Sequence, residues 1–512
     1  MSQRVTERTP GEEENAAGSR DDRRRFTRRA TTVVLVSTSA IVLLSLVVIA
    51  VAHFDDRFGL DHASGARVAL ARYFDRGVLY PELYDGKFYG GTRFMPLPLI
   101  AHGSVAKLTG EYLISGKLAA FAFALLLVGV LVWLLRRAGS PWPLCIGLVA
   151  AVFATRVGLN AVIDLRGDLP ALILQLLAVG VITNSRRTSA TAWAGLLGAL
   201  AFLAKTSAIW APIAIGVWLL WRDRGRFWSF ALVYVGSVGA LLALFGLLSD
   251  GRLFENVFGL AGSGISSPRS LLVSPYRLLR LMISHAAPVL PLTLVVAWTA
   301  WRKATEGTIS LYLLSLAASL IIVWLVLTDI GTGWNQLIDP LVLGALVLGE
   351  TTGARAAGTT RSKLVGVVAL GVIIANLMGV VLTYRGPVTD TFTGAASWTP
   401  RPLEGVAGPD TRLLAEDPYL PVTLGQTPIV LDPFMALRIG RDMPQALEDL
   451  ATRIRTREFD LIALVEPLKP LDGEWWNDVH FGATVMGAIS ESYDFDFKLQ
   501  GYYLYRPREV AQ

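Results

Sequence analysis

Cysteine is all but missing from this chain. The single thiol, Cys145, excludes an internal disulfide framework and any cysteine-rich zinc site. Histidine is nearly as rare. His53, His62, His102, His285 and His480 show no H-E-x-x-H or comparable spacing, so a histidine metal centre has no support. Charge is sparse as well, at 17% of residues against about 25% in ordinary soluble domains. With 53% hydrophobic residues and a mean hydropathy of +0.49, that scarcity excludes a soluble enzyme, a disordered chain and a fibrous repeat. The net charge of +6 is modest, and the basic residues sit beside apolar runs. It reads as membrane topology, with no nucleic-acid partner.

Long apolar runs are what the chain has in excess. The first 30 residues are polar and rich in arginine, from Arg4 to Arg29, and are expected to be a disordered basic cytoplasmic tail. Val33 to Ala52 is then apolar for ~20 residues, enough to cross a bilayer core. No small-residue cleavage site follows, so it reads as an uncleaved signal anchor with the N-terminus in the cytoplasm. Further spans are expected near 113–135, 141–160, 169–184, 191–204, 207–221, 227–248, 284–301, 308–328, 335–349 and 364–383, about eleven crossings in all. Arg136/Arg137, Arg186/Arg187, Arg222/Arg224/Arg226, Arg302/Lys303 and Arg355/Arg361/Lys363 fall on the same side as the N-terminus, as the positive-inside rule requires. An odd number of crossings puts the C-terminal segment outside.

Three outer segments are long: 53–112, about 249–284, and the tail 384–512. The tail has short apolar runs between turn residues. Pro428–Asp432 and Phe459–Val465 read as buried strands, Gln445–Arg455 as a helix with Leu447, Leu450, Ala451 and Ile454 on one face, and Tyr502–Tyr505 as a closing strand. That order predicts a small α/β domain. The expected fold is thus a polytopic α-helical membrane protein, residues 31–383, followed by a small extracytoplasmic α/β domain.

Charged groups at a membrane boundary usually mark a cavity or pathway, because hydrocarbon does not solvate them. On the outer side these are Asp55, Asp56, Asp61, Asp85, Lys87 and Arg93 in the first loop, Arg166 and Asp168, Lys205, and Asn335, Gln336 and Asp339. Each has a plain alternative. Lys205 is either snorkelling to headgroups or an anion clamp for a lipid phosphate. Asp168 fits a helix N-cap ahead of Pro170. Asp339 fits interfacial polarity beside Trp334. Asp55–Asp56 is either a weak cation site or a solvated loop start. Trp475 and Trp476 are core anchors or a sugar-stacking pair.

Several stretches, taken in order, resemble the GT-C superfamily of integral membrane glycosyltransferases. Leu60-Asp61-His62, followed by the helical run Ala69 to Tyr80, is similar to its acidic first outer loop, with His62 where the family commonly has Glu. Tyr89 to Leu99 resembles its proline-rich stretch, with the prolines split by Leu97. Arg166-Gly167-Asp168 resembles an R-x-D segment, Gly198 to Thr206 a glycine-to-lysine run, and Asn335 with Asp339 a helix start. The resemblance implies sugar transfer from a polyprenyl-phosphate-linked donor to a glycan, lipid or protein acceptor at the outer face of the cytoplasmic membrane, with inversion and no catalytic metal or other cofactor. Such chemistry needs a carboxylate base and cations for the departing phosphate. Asp61 is the expected base. Lys205, Arg166 and Arg93 are expected on the donor phosphate. Asp85, Lys87, Tyr89, Asp168, Asn335 and Asp339 are expected to contact substrate. A catalytically inactive scaffold for envelope assembly and a secondary transporter are the competing readings.

Overall fold

The computed structural model describes residues 10–259, 268–329, 331–353, 359–394, 398–468, 476 and 479–509. Helix α1 (Pro10–Ala52) contains the first apolar run, but starts well before it. The polar stretch expected to be disordered is helical from Pro10 onward. Its Glu, Ala and Arg residues are good helix formers, and no proline interrupts them. The segment expected as the first outer loop, 53–112, contains two helices, α2 (His62–Asp75) and α3 (Pro96–Thr109). There follow α4 (Tyr112–Arg137), α5 (Trp142–Phe153), α6 (Arg156–Ile163), α7 (Asp168–Asn184), α8 (Thr188–Ala204), α9 (Trp210–Arg222) and α10 (Arg224–Leu248). Then come α11 (Pro268–His285), α12 (Leu290–Thr305), α13 (Leu311–Val326), α14 (Ile338–Thr352), α15 (Thr359–Gly379) and α16 (Arg385–Thr393).

Among the described residues, four helical stretches are long and apolar enough to cross a membrane: Arg29–Ala52, Tyr112–Arg137, Arg224–Leu248 and Lys363–Thr393. Two bent pairs raise the number to six, in place of the roughly eleven expected. The run expected as one span over 141–160 breaks by 79° between α5 and α6, where Thr155 caps α6 by accepting from the Gly158 amide. The second break, 97°, separates Arg269–His285 from Ala287–Thr305, and it makes a helix of a segment expected as an outer connection. Helices α7, α8 and α13 are apolar but only 16 or 17 residues long. At 1.5 Å per residue they span about 25 Å, short of a ~30 Å hydrocarbon core.

The C-terminal segment holds β1 (Leu413–Ala415), α17 (Tyr419–Thr423), α18 (Pro433–Asp442), α19 (Pro444–Arg455), β2 (Leu461–Leu464), α20 (Ala483–Ser492), β3 (Tyr493–Leu499) and β4 (Tyr502–Pro507). The sheet order is β1-β2-β4-β3, with β1 and β2 parallel and the other pairs antiparallel. The strands expected over 459–465 and 502–505, and the helix over 445–455, are present. Pro428–Asp432 is not a strand. Its Val430 makes one isolated parallel bridge to Tyr89. Trp476 is buried and donates to the Pro467 carbonyl (3.1 Å), so it is a core residue and not a sugar platform; Trp475 lies outside the described residues.

Helix α2 joins the two regions. Its Val68, Ala69 and Leu70 share one apolar cluster with Leu99, Leu165, Leu203, Tyr419 and Leu431. Arg72 donates to the Val422 and Gly425 carbonyls. Just ahead of the helix, Arg57 donates to Tyr502, whose hydroxyl donates to Asp417 (2.5 Å). The segment carrying Asp61 is therefore positioned from both sides.

Candidate functional site

The site forms where helix ends meet. Asp61 is the N-cap of α2. Its Oδ1 accepts from the Ser64 amide (3.0 Å) and hydroxyl (3.1 Å). Its Oδ2 accepts from Arg166. Arg166 lies in the connection between α6 and α7, and its Nε donates to Asp164. Asp164 also accepts from the Ser64 hydroxyl and the Leu165 amide. The Arg166 guanidinium stands 5.0 Å from the centroid of the Trp334 ring. The two carboxylates differ sharply in setting, with side-chain exposure of 39% for Asp61 and 1% for Asp164. Burial is the largest single influence on Asp61 and opposes its ionisation, but Arg166, His62 and the two Ser64 bonds together outweigh it, and the carboxyl is lowered to about 2.

A second ion pair adjoins the first. Lys205, the C-cap of α8, donates to Asp168 and to Gln336 Oε1 (2.8 Å). Asn335 Nδ2 also donates to Asp168 (3.0 Å). The N-cap of α7 is Gly167, so Asp168 is the first helical residue, and its carboxylate faces Lys205 instead of capping the helix. Lys205 does not snorkel. It is largely buried and its charge is met by Asp168. Asp339 is buried on α14, one turn beyond Asn335, within electrostatic reach of Lys205 and Asp168. Five of the expected residues (Asp61, Arg166, Asp168, Lys205 and Asn335) thus converge, with Asp339 beside them.

Four do not. Arg93 donates to Asp329 (2.7 Å), a carboxylate it shares with Arg438 (3.0 Å), and both arginines flank the Phe434 ring. That cluster ties the first loop to α18 and holds Arg93 on Asp329, away from the Asp61–Arg166 site. Asp85 caps its own turn by accepting from the Lys87 and Phe88 amides, and lines a separate cavity of about 270 Å³ with Tyr73, Glu82 and Arg252. Lys87 is exposed over Phe88. Tyr89 is buried in the C-terminal core, its hydroxyl donating to the Ala446 carbonyl (2.5 Å). Turn chemistry and core packing claimed residues that read as polar loop positions. Asp56 likewise accepts from His53 (2.6 Å) and lies 3.7 Å from Lys117, so its charge is met within the protein.

The residue that sequence reasoning missed is Arg67. It lies on α2, with its guanidinium 4.1 Å from the Phe94 ring centroid. Among the described residues it has no ion-pair partner, and its Nε is buried without a hydrogen bond. Burial lowers its pKa to about 10, against the pull of Asp168, Asp164 and Asp61 nearby. Arg67 and Arg166 together line a cavity of about 40 Å³, otherwise walled by Leu70, Met95, Leu99, Ala120 and Phe123, with His102 alongside. Asp164 could have been found from the charge alternation of Asp164-Leu165-Arg166-Gly167-Asp168. Arg67 has no such local signal, because a lone arginine on an apolar helix looks like one that reaches solvent.

No family model matches this sequence, and no curated protein matches it. Solved structures do. ArnT from Cupriavidus metallidurans bound to undecaprenyl phosphate superposes with a TM-score of 0.57 at 12% identity, over 92% of this chain and 97% of that one. The same protein in the apo state gives 0.59 at 14% identity, over 93% and 98%. Across nearly its whole length, this chain has the fold of ArnT.

Proposed function

We propose that this protein is a multi-pass membrane glycosyltransferase that moves a sugar from a polyprenyl-phosphate donor to an acceptor hydroxyl at the outer face of the cytoplasmic membrane. The observation that carries the reading is Arg67, a cation whose Nε is buried without a hydrogen bond and which has no ion-pair partner among the described residues, lining a largely apolar cavity with Arg166. A lipid phosphate supplies what is missing there: an anion for Arg67 to pair with and an apolar chain for the wall. The bound lipid of the ArnT structure, undecaprenyl phosphate, has that chemistry. An inactive scaffold would gain nothing from an arginine left without an ion pair on such a cavity. A transporter would place its polar groups near the midplane, whereas these lie at helix ends.

In this reading the acceptor oxygen attacks the anomeric carbon from the face opposite the phosphate. The carbon–oxygen bond to phosphate breaks, and its electron pair leaves with the lipid phosphate. Asp61 takes the acceptor proton, and configuration inverts. Arg67 and Arg166 hold the charge that develops on the leaving phosphate. Lys205, Asp168 and Asn335 frame the sugar between donor and acceptor. Residues 31–383 form the catalytic part, and 384–512 an extracytoplasmic domain that buttresses α2.

The test is transfer from polyprenyl-phosphate sugars in proteoliposomes. Asp61→Asn is expected to lower the rate by about 10²–10⁴-fold, the usual contribution of a positioned base, while the variant still binds polyprenyl phosphate. Full transfer by that variant would remove Asp61 as base. A wild-type protein that binds no polyprenyl phosphate would remove the whole reading.

A further inference from the structure

Arg166 has two carboxylate partners of unequal strength. Its Nε is anchored on Asp164, which is buried and further held by Ser64 and the Leu165 amide. Its Nη2 reaches Asp61, whose side chain is 39% exposed. Exposed ion pairs are weak and exchange readily, whereas a buried, hydrogen-bonded carboxylate keeps its partner. The guanidinium can therefore pivot about Asp164 and give up Asp61 without being lost from the site. Trp334 beneath it offers a flat ring along which a planar guanidinium can turn. Arg67 waits on the same cavity with no carboxylate of its own.

From this arrangement we propose that the Arg166–Asp61 pair is a latch opened by the donor. The incoming phosphate is captured by Arg67, draws Arg166 off Asp61, and leaves Asp61 held only by Ser64 and able to accept the acceptor's proton. The inference rests on the donor reading above and adds an order to it, with donor first and base second. Before the donor arrives, the carboxylate is masked by the guanidinium and is a poor base. After it arrives, the same guanidinium stabilises the leaving group. One side chain thereby serves both halves of the reaction in sequence, and an acceptor arriving first meets no competent base.

The test is a double-mutant cycle on binding of a short-chain polyprenyl monophosphate, with the uncharged polyprenol as control. If Asp61 and the phosphate compete for Arg166, Asp61→Asn binds the phosphate more tightly, by about fivefold (~1 kcal/mol). The gain disappears in Asp61→Asn/Arg166→Gln relative to Arg166→Gln alone, and polyprenol shows none. A gain that persists without Arg166 is general electrostatics and overturns the latch. So does an Asp61→Asn protein that binds like wild type or more weakly. If Arg166→Gln does not fold, Arg166→Lys replaces it. A single ammonium cannot span Asp164 and Asp61 as the guanidinium does, so the gain should again shrink. Failure of wild-type protein to bind the phosphate at all would instead reject the donor reading, which keeps the two failures distinct.

Discussion

Replacing Arg67 by methionine separates function from stability. The guanidinium is charged, its Nε is buried without a hydrogen bond, and it has no ion pair among the described residues. Burial brings its pKa from 12.5 to about 10, and at 1.36 kcal/mol per unit that is a penalty of about 3 kcal/mol for keeping the charge there. Methionine removes the penalty and retains most of the stem packing over Phe94. Part of the gain is lost with the cation–π contact, so a net stabilisation of about 1–2 kcal/mol is expected. The phosphate loses charge-assisted hydrogen bonds worth about 1.5–3 kcal/mol, which is about 10- to 100-fold in Kd. Isothermal titration of polyprenyl phosphate in nanodiscs and thermal unfolding of the same samples would read both quantities. Weaker binding with a raised Tm fits a ligand arginine. A Kd within twofold of wild type, or a clear loss of stability, would show that Arg67 is structural and refute the reasoning.

Three further outcomes follow from the geometry. His102 is buried, donates to the Tyr112 carbonyl (2.7 Å), and burial lowers its pKa from 6.5 to about 4. The unfolded chain takes up this proton below pH 6.5 and the folded protein only near 4, so stability falls as pH drops through that window by about 1.4 kcal/mol per unit. His102→Gln should flatten the slope of stability against pH there, and an unchanged slope would exclude His102 as its source. Gly65 packs so tightly that an added Cβ would lie 2.0 Å from Asp417 Oδ1. Gly65→Ala is expected to cost about 1–3 kcal/mol by forcing α2 off the C-terminal segment, and transfer should fall with Tm; a fully stable, active variant would deny that approach. Lys205→Ala leaves Asp168 buried without its cation and is expected to cost about 3–5 kcal/mol, whereas Lys205→Met/Asp168→Asn should cost less. A double variant no better than the single one would mean that the pair is not coupled.

The sequence by itself determined the membrane character and the order in which charged segments follow the apolar runs. Those depend on composition and on local apolar runs, which are properties of short stretches. Span count was less legible, because a continuous apolar run does not reveal a capped break such as Thr155. Sheet membership of β1 and β3 was not legible either, since three residues at Leu413–Ala415 form a strand only beside β2. Tertiary structure alone decided which charges are already spent. Arg93 and Arg67 are both single arginines near apolar sequence. Asp329 pairs with one, and no described carboxylate forms an ion pair with the other. Pairing depends on residues far away in the chain, and a charge's usefulness to a ligand depends on that pairing.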